Sequence, residues 1–447
     1  MKKILLGSVA LIVLNSAANA ADLTPRYTKA PPVVAQIYDW TGFYIGAYAG
    51  VGASRNRGFD PTGYKLGVFE PNGYGFNGGG TVGYNWQLGA APLGLDWVVG
   101  VEGDIGYLDT SRAAKELNDN FLYNSKTSMA ATVRGRIGLS NGPTLSYLTG
   151  GYAAVRTNDV FTSTDLGASV SSEKTRGGYA MGTGTETMLG GGWTAKSEAL
   201  YIEVSGGSAL TVPSSNDNYG VEVDKHRYYS QRFGVNYLFG AKNAPPGPQT
   251  NWGGLFVGLT GGSAVGNTHV SDTPFEYGTV GVSDGGYSVG GQIGYNWMIN
   301  SKWVLGAEGD ISYLGIKHSN INYNDTAITG TDSSWIATAR GRIGYSTGPA
   351  LLYATAGGAW VNVKDSFTWD APASRSNTQS GYAVGGGIET VLKGNWTVKS
   401  EYLFVDVGRG NPMISDGTLV NFEHQYHLFR TGLTYRFNTG APVMAKY

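Results

Sequence analysis

The chain contains no cysteine and few charged residues, and each scarcity excludes a class of protein. Without cysteine the chain cannot form disulfide bonds, so its fold must be held together by backbone hydrogen bonds and side-chain packing. Charged residues make up 15% of the sequence and the formal net charge is −1, which is too weak to imply a nucleic-acid partner. Outside the first twenty residues, no apolar run approaches the ~20 residues that a membrane-spanning helix needs.

Sequence motifs of catalytic and metal sites are also missing. The sequence has no Gly-rich phosphate loop before a helix, no paired-histidine zinc motif and no serine nucleophile elbow. We therefore predict no catalytic residue, no metal site and no cofactor.

Glycine and aromatic residues are abundant instead. The chain has 70 Gly, 29 Tyr and 11 Trp in 447 residues, a bias toward strands, tight turns and rings that sit at a membrane interface. Period-two alternation recurs over roughly ten residues at a time, which is the length of a tilted transmembrane strand. In residues 99–107, for example, Val101 and Ile105 share an apolar face, and Glu102 and Asp104 lie on the other.

The sequence is a tandem duplication. Tyr84-Asn85-Trp86 returns as Tyr295-Asn296-Trp297, and Arg134-Gly135-Arg136 returns as Arg340-Gly341-Arg342. The first residues read as a secretory signal, with a basic start, a short apolar run at 4–14 and a small-residue cleavage site at 18–20. We predict a signal peptide at 1–20, a Pro-rich periplasmic lead-in at 21–39, a first β-barrel repeat at 40–239, a Pro/Gly linker at 240–251, a second repeat at 252–437 and a C-terminal extension at 438–447.

Each repeat contains eight predicted strands, an even number. Short turns at 140–143 and 190–192 alternate with long polar segments at 55–77, 109–126, 158–176 and 205–227, the asymmetry of an outer-membrane barrel with periplasmic chain ends. The sequence therefore predicts an all-β fold, a transmembrane antiparallel β-barrel. The predicted strands are 43–54, 78–88, 97–108, 127–140, 144–157, 177–189, 193–204 and 228–239 in the first repeat, and 255–267, 290–299, 303–316, 335–346, 350–363, 381–392, 396–407 and 426–437 in the second.

Charged residues on the polar strand faces balance within each repeat, four acids against four bases. An eight-stranded barrel is just wide enough to be filled by side chains, and a buried charge needs a partner, so we predict a lumenal charge network in each copy. A carboxylate pair for acid/base hydrolysis is the alternative, and it lacks an obvious substrate cleft. The predicted members are Glu102, Asp104, Arg134, Arg136, Glu186, Lys196, Glu198 and Arg232 in the first copy, and Glu308, Asp310, Arg340, Arg342, Glu389, Lys399, Glu401 and Arg430 in the second.

Several of these motifs carry a family resemblance. The segments 99–104, 134–138 and 147–151, with Gly142-Pro143 and the Trp40-Thr41-Gly42-Phe43-Tyr44 start, resemble the small outer-membrane β-barrel (porin-like) family of alphaproteobacteria. That family includes major surface antigens and hemin-binding proteins. The resemblance covers each repeat nearly end to end and implies a location in the Gram-negative outer membrane. Two features depart from it: the duplication, and the ten residues that follow the strand-closing aromatic Phe437.

The resemblance also raises one cofactor alternative. His424, Tyr426 and His427 could make a haem contact if a loop presents them, whereas on a strand His424 and His427 point to opposite faces and share no metal. Solvated loop histidines are the plainer interpretation.

Two architectures and three functional classes remain open in the sequence. The linker and the charge balance of each copy favour two eight-stranded barrels; one sixteen-stranded barrel would instead enclose an aqueous channel. The first class is a structural and surface-interaction protein, for which we expect outer-membrane lipid and lipopolysaccharide, the barrel assembly machinery, and host or envelope proteins at the loops as partners. The others are a diffusion pore for small solutes and, least favoured, an enzyme.

Overall fold

A computed structural model describes residues 38–437, apart from 60, 62–67, 70–71, 111–114, 119–120, 208, 214–217, 242–243, 274–278, 318–320, 324–326, 369–371, 411 and 416–417. The predicted signal peptide, nearly all of the lead-in and the C-terminal extension lie outside the described residues. The described part is built almost entirely from antiparallel strands. No helix in it is long and apolar enough to cross a bilayer.

The first repeat forms a closed barrel of eight long strands. Each main strand pairs with the next along the chain, and the last, β11, pairs with β1 from Tyr44↔Leu238 to Phe59↔Glu222, which closes the sheet. Three short strands lie at the outer end and pair with a main strand. The strands are β1 Gly42–Phe59, β2 Val68–Phe69, β3 Asn72–Ala91, β4 Leu95–Leu108, β5 Lys115–Asn118, β6 Phe121–Asn141, β7 Thr144–Ser163, β8 Ala168–Gly190, β9 Trp193–Ser205, β10 Leu210–Pro213 and β11 Asn218–Leu238.

The second repeat closes in the same way. Its first and last strands pair from Phe256↔Arg436 to Thr273↔Leu419. The strands are β12 Gly254–Thr273, β13 Thr279–Met298, β14 Trp303–Lys317, β15 Ile321–Tyr323, β16 Ala327–Ser346, β17 Ala350–Thr368, β18 Pro372–Lys393, β19 Trp396–Arg409, β20 Met413–Ser415 and β21 Thr418–Arg436.

Each sheet thus closes on itself. The predicted fold of two tandem eight-stranded barrels is confirmed, and the alternative of one sixteen-stranded barrel is wrong. The physical reason is that the first and last strands of each repeat hydrogen-bond to each other. Neither repeat then has a free strand edge that could pair with the other repeat to form one larger barrel.

The strands are longer than the sequence pattern predicts. β7 and β8 continue to a turn at 164–167, whereas the sequence analysis assigned 158–176 to a polar loop. Many main strands have about twenty residues, although about ten cross a membrane at the usual tilt. The outer halves of the long hairpins therefore extend beyond the bilayer as paired strands.

An apolar belt bounded by aromatic rings marks the membrane on the outer surface. On β4, Trp97 and Tyr107 both face outward and lie ten residues apart, with Val101 and Ile105 exposed between them. At the inner ring, Trp193 packs edge-on against Tyr237 with ring centres 5.3 Å apart. Tryptophan and tyrosine favour the headgroup level, so these rings delimit the crossing segment.

The two barrels pack side by side through equivalent faces. Gln231 on the outer face of β11 donates hydrogen bonds to Ser197 of its own barrel (2.9 Å) and to Ser400 of the other (3.0 Å). Tyr229 stacks on Phe429 with ring centres 6.3 Å apart. Gln231 is fully buried although it points away from its own lumen, because the second barrel covers it. Polar side chains on this face thus pair across the junction instead of facing lipid.

The linker lies against the inner turns. Gly247 sits between Pro143 and Pro349, which occupy equivalent turns of the two barrels, and the Gly191 amide donates to the Ala244 carbonyl at 3.0 Å. The linker therefore helps to fix the two barrels to each other at their inner ends.

Candidate functional site

Arg134 is the centre of the charge network inside the first barrel. Its Nη2 lies 2.7 Å from Glu102, 2.9 Å from Asp104 and 3.1 Å from Glu198. Its Nε donates to Thr132, whose hydroxyl donates in turn to Asp104 at 2.5 Å. The side chains come from β4, β6 and β9, and strand pairing of Glu102 with Arg134 brings the first acid and base face to face.

The other three cations complete the network. Arg136 pairs with Glu186 at 3.2 Å, Lys196 with Glu102 at 2.8 Å, and Arg232 with Asp104 at 3.0 Å. Further hydrogen bonds come from neutral side chains: Tyr147 to Glu198 (2.9 Å), and Thr194 (2.5 Å) and Asn236 (2.8 Å) to Glu186. All eight residues that the sequence analysis assigned to this lumen meet in one buried cluster.

The second lumen repeats the plan with altered partners. Arg340 lies 2.7 Å from Glu308, 2.9 Å from Asp310 and 3.3 Å from Glu401, and Arg430 bridges Asp310 (2.8 Å) and Glu401 (2.5 Å). Arg342 pairs with Glu389 at 3.2 Å. Lys399 donates to the amide oxygen of Gln292, and its closest approach to Glu308 is 3.6 Å. Thr81 is the residue that corresponds to Gln292 in the first barrel.

Apolar layers close both ends of each charged layer. At the inner mouth of the first barrel, Trp40 is fully buried and its indole Nε1 donates to the Gly142 carbonyl at 2.9 Å. In the second barrel, the indole Nε1 of Trp252 likewise donates a hydrogen bond to the Gly348 carbonyl at 3.2 Å. The Arg436 guanidinium lies over the Trp252 ring, 4.7 Å from its centre. Above the charges, a second apolar layer fills the first lumen: Leu108, Ala130, Ala153, Val155, Ala180, Ile202, Val204 and Tyr228.

A third layer lies beyond the membrane, and we call it the crown of the first barrel. Phe121 stacks on Phe161 with ring centres 5.6 Å apart. Beneath it, Asp159 accepts hydrogen bonds from Tyr123 (2.9 Å) and from Arg176 (2.8 Å). The apolar members of the crown are Phe121, Tyr123, Phe161, Leu210, Val212, Val221 and Val223. The second barrel has a smaller counterpart, formed by Val270, Phe367, Met413, Val420 and Phe422.

Charges on the outer face locate the start of the crown. Glu203 pairs with Lys225 at 2.8 Å and with Arg227 at 3.0 Å. These three charged side chains face outward, and their burial in hydrocarbon would be energetically costly. Burial raises the pKa of Glu203, but hydrogen bonds from Lys225, Tyr201 and Arg227 outweigh it and lower that pKa to about 2. The strands at this level therefore lie at or above the headgroups.

His226 is buried inside the barrel at the same level. Its ring nitrogens make no hydrogen bond with any described residue, and Nε2 lies 3.8 Å from the Asp159 carboxylate. Burial lowers the pKa of His226 to about 4, with Asp159 acting against that shift and Arg176 adding to it. The histidine is thus neutral at pH 7.

The candidate haem residues lie in strand β21 and not in a loop. His424 is buried in the second lumen, where its Nδ1 lies 3.0 Å from Thr268 and its Nε2 lies 3.3 Å from Asp365. Tyr426 also points into the lumen and shares a hydrogen bond of 2.8 Å with Ser333. His427 points outward, beside Tyr402 and Tyr74 at the junction between the barrels. The strand geometry therefore separates His427 from the other two side chains.

The described residues contain no group of three or more metal-ligating side chains that could hold an ion. Every carboxylate of the two lumenal networks lies within 4 Å of a cation. Each lumenal carboxylate therefore has at least one cationic partner within its own barrel. The arrangement supports a filled, rigid lumen.

Three parts of this arrangement were not predicted from the sequence: the tryptophan at each inner mouth, the crown, and the polar junction between the barrels. For the crown the sequence signal is weak, because Asp159, Phe161 and Ser163 share one strand face but differ in polarity, and only their burial in the structure alternates with that of their neighbours. A signal for the junction was also present, since Gln231 interrupts an outward-facing apolar series on β11.

Comparison with known proteins identifies the family. The model of the outer membrane protein β-barrel domain matches twice, at residues 8–239 and 235–437. The chain belongs to this family. The protein is accordingly a tandem barrel of the Gram-negative outer membrane.

The chain is similar to outer-membrane proteins of Brucella and Rhizobium. The 31 kDa outer-membrane immunogenic protein of Brucella melitensis is 32% identical over 213 residues, which are 44% of this chain and 88% of that protein. The 22 kDa outer membrane protein of Rhizobium leguminosarum bv. viciae is 34% identical over 170 residues, 37% of this chain and 69% of that protein. Each relative is thus matched by a stretch of about one repeat.

Solved structures also match at low similarity. Ail, the attachment invasion locus protein of Yersinia pestis, is 13% identical with a TM-score of 0.21, covering 40% of this chain and 99% of that chain. The Pseudomonas putida toluene transporter TodX is 10% identical with a TM-score of 0.28, covering 89% of this chain and 91% of that one. Scores this low carry no argument about function.

Proposed function

We propose that this protein is a non-conducting, non-enzymatic pair of anchors in the outer membrane that presents rigid extracellular hairpins to partners. The observation that carries the proposal is the filling of each lumen by stacked layers. In the first barrel these are the buried Trp40, the charge network around Arg134, the apolar layer and the crown.

A diffusion pore needs a continuous water-filled path, and eight-stranded barrels are too narrow to leave one once side chains fill them. Here the central cation, Arg134, is itself only 1% exposed. A hydrated solute would have to displace several ion pairs at once, and breaking a buried pair costs ~3–5 kcal/mol. The closed lumen therefore favours anchoring over transport.

The paired hairpins above the membrane supply the surface that contacts partners. Because the crown packs its own aromatic residues, the turn at 164–167 is held on a supported strand pair and its residues are exposed. A preorganised surface loses less conformational entropy on binding than a flexible loop does. Host or envelope proteins and lipopolysaccharide are the partners that fit this position, and insertion requires the barrel assembly machinery.

Single-channel recording tests the closed lumen. The mature chain, refolded and checked by heat-modifiable gel mobility, is reconstituted in planar bilayers beside a general porin as positive control. We expect no conductance steps from folded protein. Reproducible large steps would overturn the proposal of closed anchors.

Cysteine labelling tests which side presents the hairpins. The chain has no cysteine, so one introduced thiol gives an unambiguous signal. We expect a membrane-impermeant maleimide to label Asp165→Cys on intact cells and to leave Ser301→Cys, in an inner turn, unlabelled until the cells are lysed. The opposite pattern would contradict the orientation.

A further inference from the structure

An apolar crevice of about 790 Å³ opens toward the bilayer between the two barrels. Outward faces of β1, β9 and β11 form one wall, and β14, β16, β17 and β18 form the other. Its volume lies in the range of about 300–1,000 Å³ that is usual for small-molecule pockets. The side chains that matter here are Ala47, Ala195, Phe233, Ile343, Leu352 and Ala354.

The crevice begins at the inner aromatic ring. Trp303 and Tyr345 line it and pack edge-on with ring centres 5.3 Å apart, at the headgroup level of the periplasmic leaflet. From there it runs along Ile343 and Val235 into the apolar belt. No water is available at that depth, so the chemistry that fits is a hydrocarbon chain.

The duplication shows that the crevice is specific to one side of the pair. Ala47 corresponds to Leu259 in the other copy, and Ala354 corresponds to Leu148. Both leucines point into lipid and are 71% and 63% exposed. Small side chains thus stand on the crevice walls at two positions where the other copy carries large ones, and they leave room for a chain between the barrels.

A positive charge stands at the mouth of the crevice. The Lys302 ammonium lies 5.9 Å from the centre of the Tyr345 ring, and the side chain is exposed. The corresponding residue in the first copy is Asp96, which accepts a hydrogen bond of 2.9 Å from Gln87. The mouth of the crevice therefore carries a cation, Lys302, where the first copy carries an acid, Asp96.

We propose that this crevice binds one anionic phospholipid of the periplasmic leaflet, with an acyl chain between the barrels and its phosphate headgroup at Lys302. A chain held there fills the space that rigid barrel walls cannot close and excludes mobile lipid from the junction. Basic residues at the membrane surface attract anionic headgroups, which selects the charged lipid over the zwitterionic one. The site requires only the membrane placement of the barrels and is independent of what the hairpins bind.

Lipid retention by the full mature chain tests the site. The protein is folded in micelles doped with equal amounts of phosphatidylglycerol and phosphatidylethanolamine, washed in lipid-free detergent, and its retained lipid is counted by native mass spectrometry. We expect one phosphatidylglycerol per chain. Ala47→Trp and Ala354→Trp fill the crevice and should lower retention about tenfold by removing apolar contacts.

Matched controls stand at the equivalent positions of the other copy. Leu259→Trp and Leu148→Trp also place an indole on a lipid-facing wall and should leave retention unchanged. Lys302→Glu should abolish an about fivefold preference for phosphatidylglycerol while keeping the chain site.

Equal retention by crevice and control variants would overturn the crevice as the binding site. Equal retention of the two lipids by the unaltered chain would overturn the role of Lys302. Two crevice variants are used in case one of them fails to fold, which heat-modifiable gel mobility shows. Either variant that folds is compared with its matched control for retained lipid.

Discussion

The hydroxyl of Tyr44 donates a hydrogen bond of 2.8 Å to Glu102 inside the first barrel, whereas the second barrel has Phe256 in the place of Tyr44. The corresponding acid, Glu308, touches Arg340 at 2.7 Å but makes no aligned hydrogen bond with any described residue. Glu102 also accepts hydrogen bonds from Arg134 (2.7 Å) and Lys196 (2.8 Å), whereas Glu308 is held by charge alone. The two copies of the network therefore differ in hydrogen bonding at this carboxylate.

Exchanging these two residues tests that difference. Tyr44→Phe should lower the free energy of unfolding of the first barrel by about 1–3 kcal/mol, since a buried charged acceptor loses its donor. Phe256→Tyr should raise that of the second barrel by a similar amount. Urea unfolding of the protein in lipid vesicles measures both changes. A Tyr44→Phe variant as stable as the unaltered chain would contradict the prediction.

Removal of the central cation should be far more damaging. Arg134→Met leaves three acids around a neutral side chain and should cost ~3–5 kcal/mol, seen as loss of the heat-modifiable form. Arg156→Met is the control, because Arg156 pairs with Glu173 on the surface, where both side chains are about half exposed. Such pairs contribute about 0–1 kcal/mol. Similar effects of the two substitutions would argue against a stabilising lumenal network.

Cysteine pairs test the junction between the barrels. The hydroxyls of Thr183 and Thr431 lie 3.4 Å apart across it, so Thr183→Cys with Thr431→Cys should form a disulfide on mild oxidation. The resulting large loop makes the denatured chain migrate faster on a non-reducing gel. Thr183→Cys with Ile311→Cys, whose second site faces lipid, should stay linear. A cross-link in both pairs, or in neither, would contradict a fixed junction.

Acid should loosen the crown of the first barrel. The pKa of His226 falls from 6.5 to about 4 on folding, so between these values the unfolded strand binds a proton that the folded one does not. The free energy of unfolding of the crown therefore decreases as pH falls from about 6.5 toward 4. Amide protection factors in β10 and β11 should drop over this interval. His226→Asn should remove the dependence; if protection still falls in that variant, His226 is not the cause.

Much of the fold could be predicted from the sequence, because a barrel in a bilayer leaves few alternatives. Lipid forces apolar residues outward, so charges such as Glu102 and Arg134 have to face the lumen, and their period-two spacing reveals this directly. Duplication then shows every pattern twice. The network residues were found for that reason, while their individual partners were not.

What the sequence could not provide depends on contacts between distant strands. Asp159 and Phe161 would fit a polar loop as well as a long hairpin, and only their contacts with Tyr123 and Phe121 make them part of the crown. His424 and His427 likewise acquire different surroundings only once β21 is placed between β12 and β19.

The sequence by itself determined the strand faces, the repeat, the membrane location and the balance of lumenal charge, since each follows from local period and from the cost of charge in hydrocarbon. Tertiary structure decided that each repeat closes separately, through the pairing of β1 with β11 and of β12 with β21. It also decided which outward-facing residues meet the other barrel and which meet lipid. Those choices depend on side-by-side packing, which brings together residues as far apart as Gln231 and Ser400.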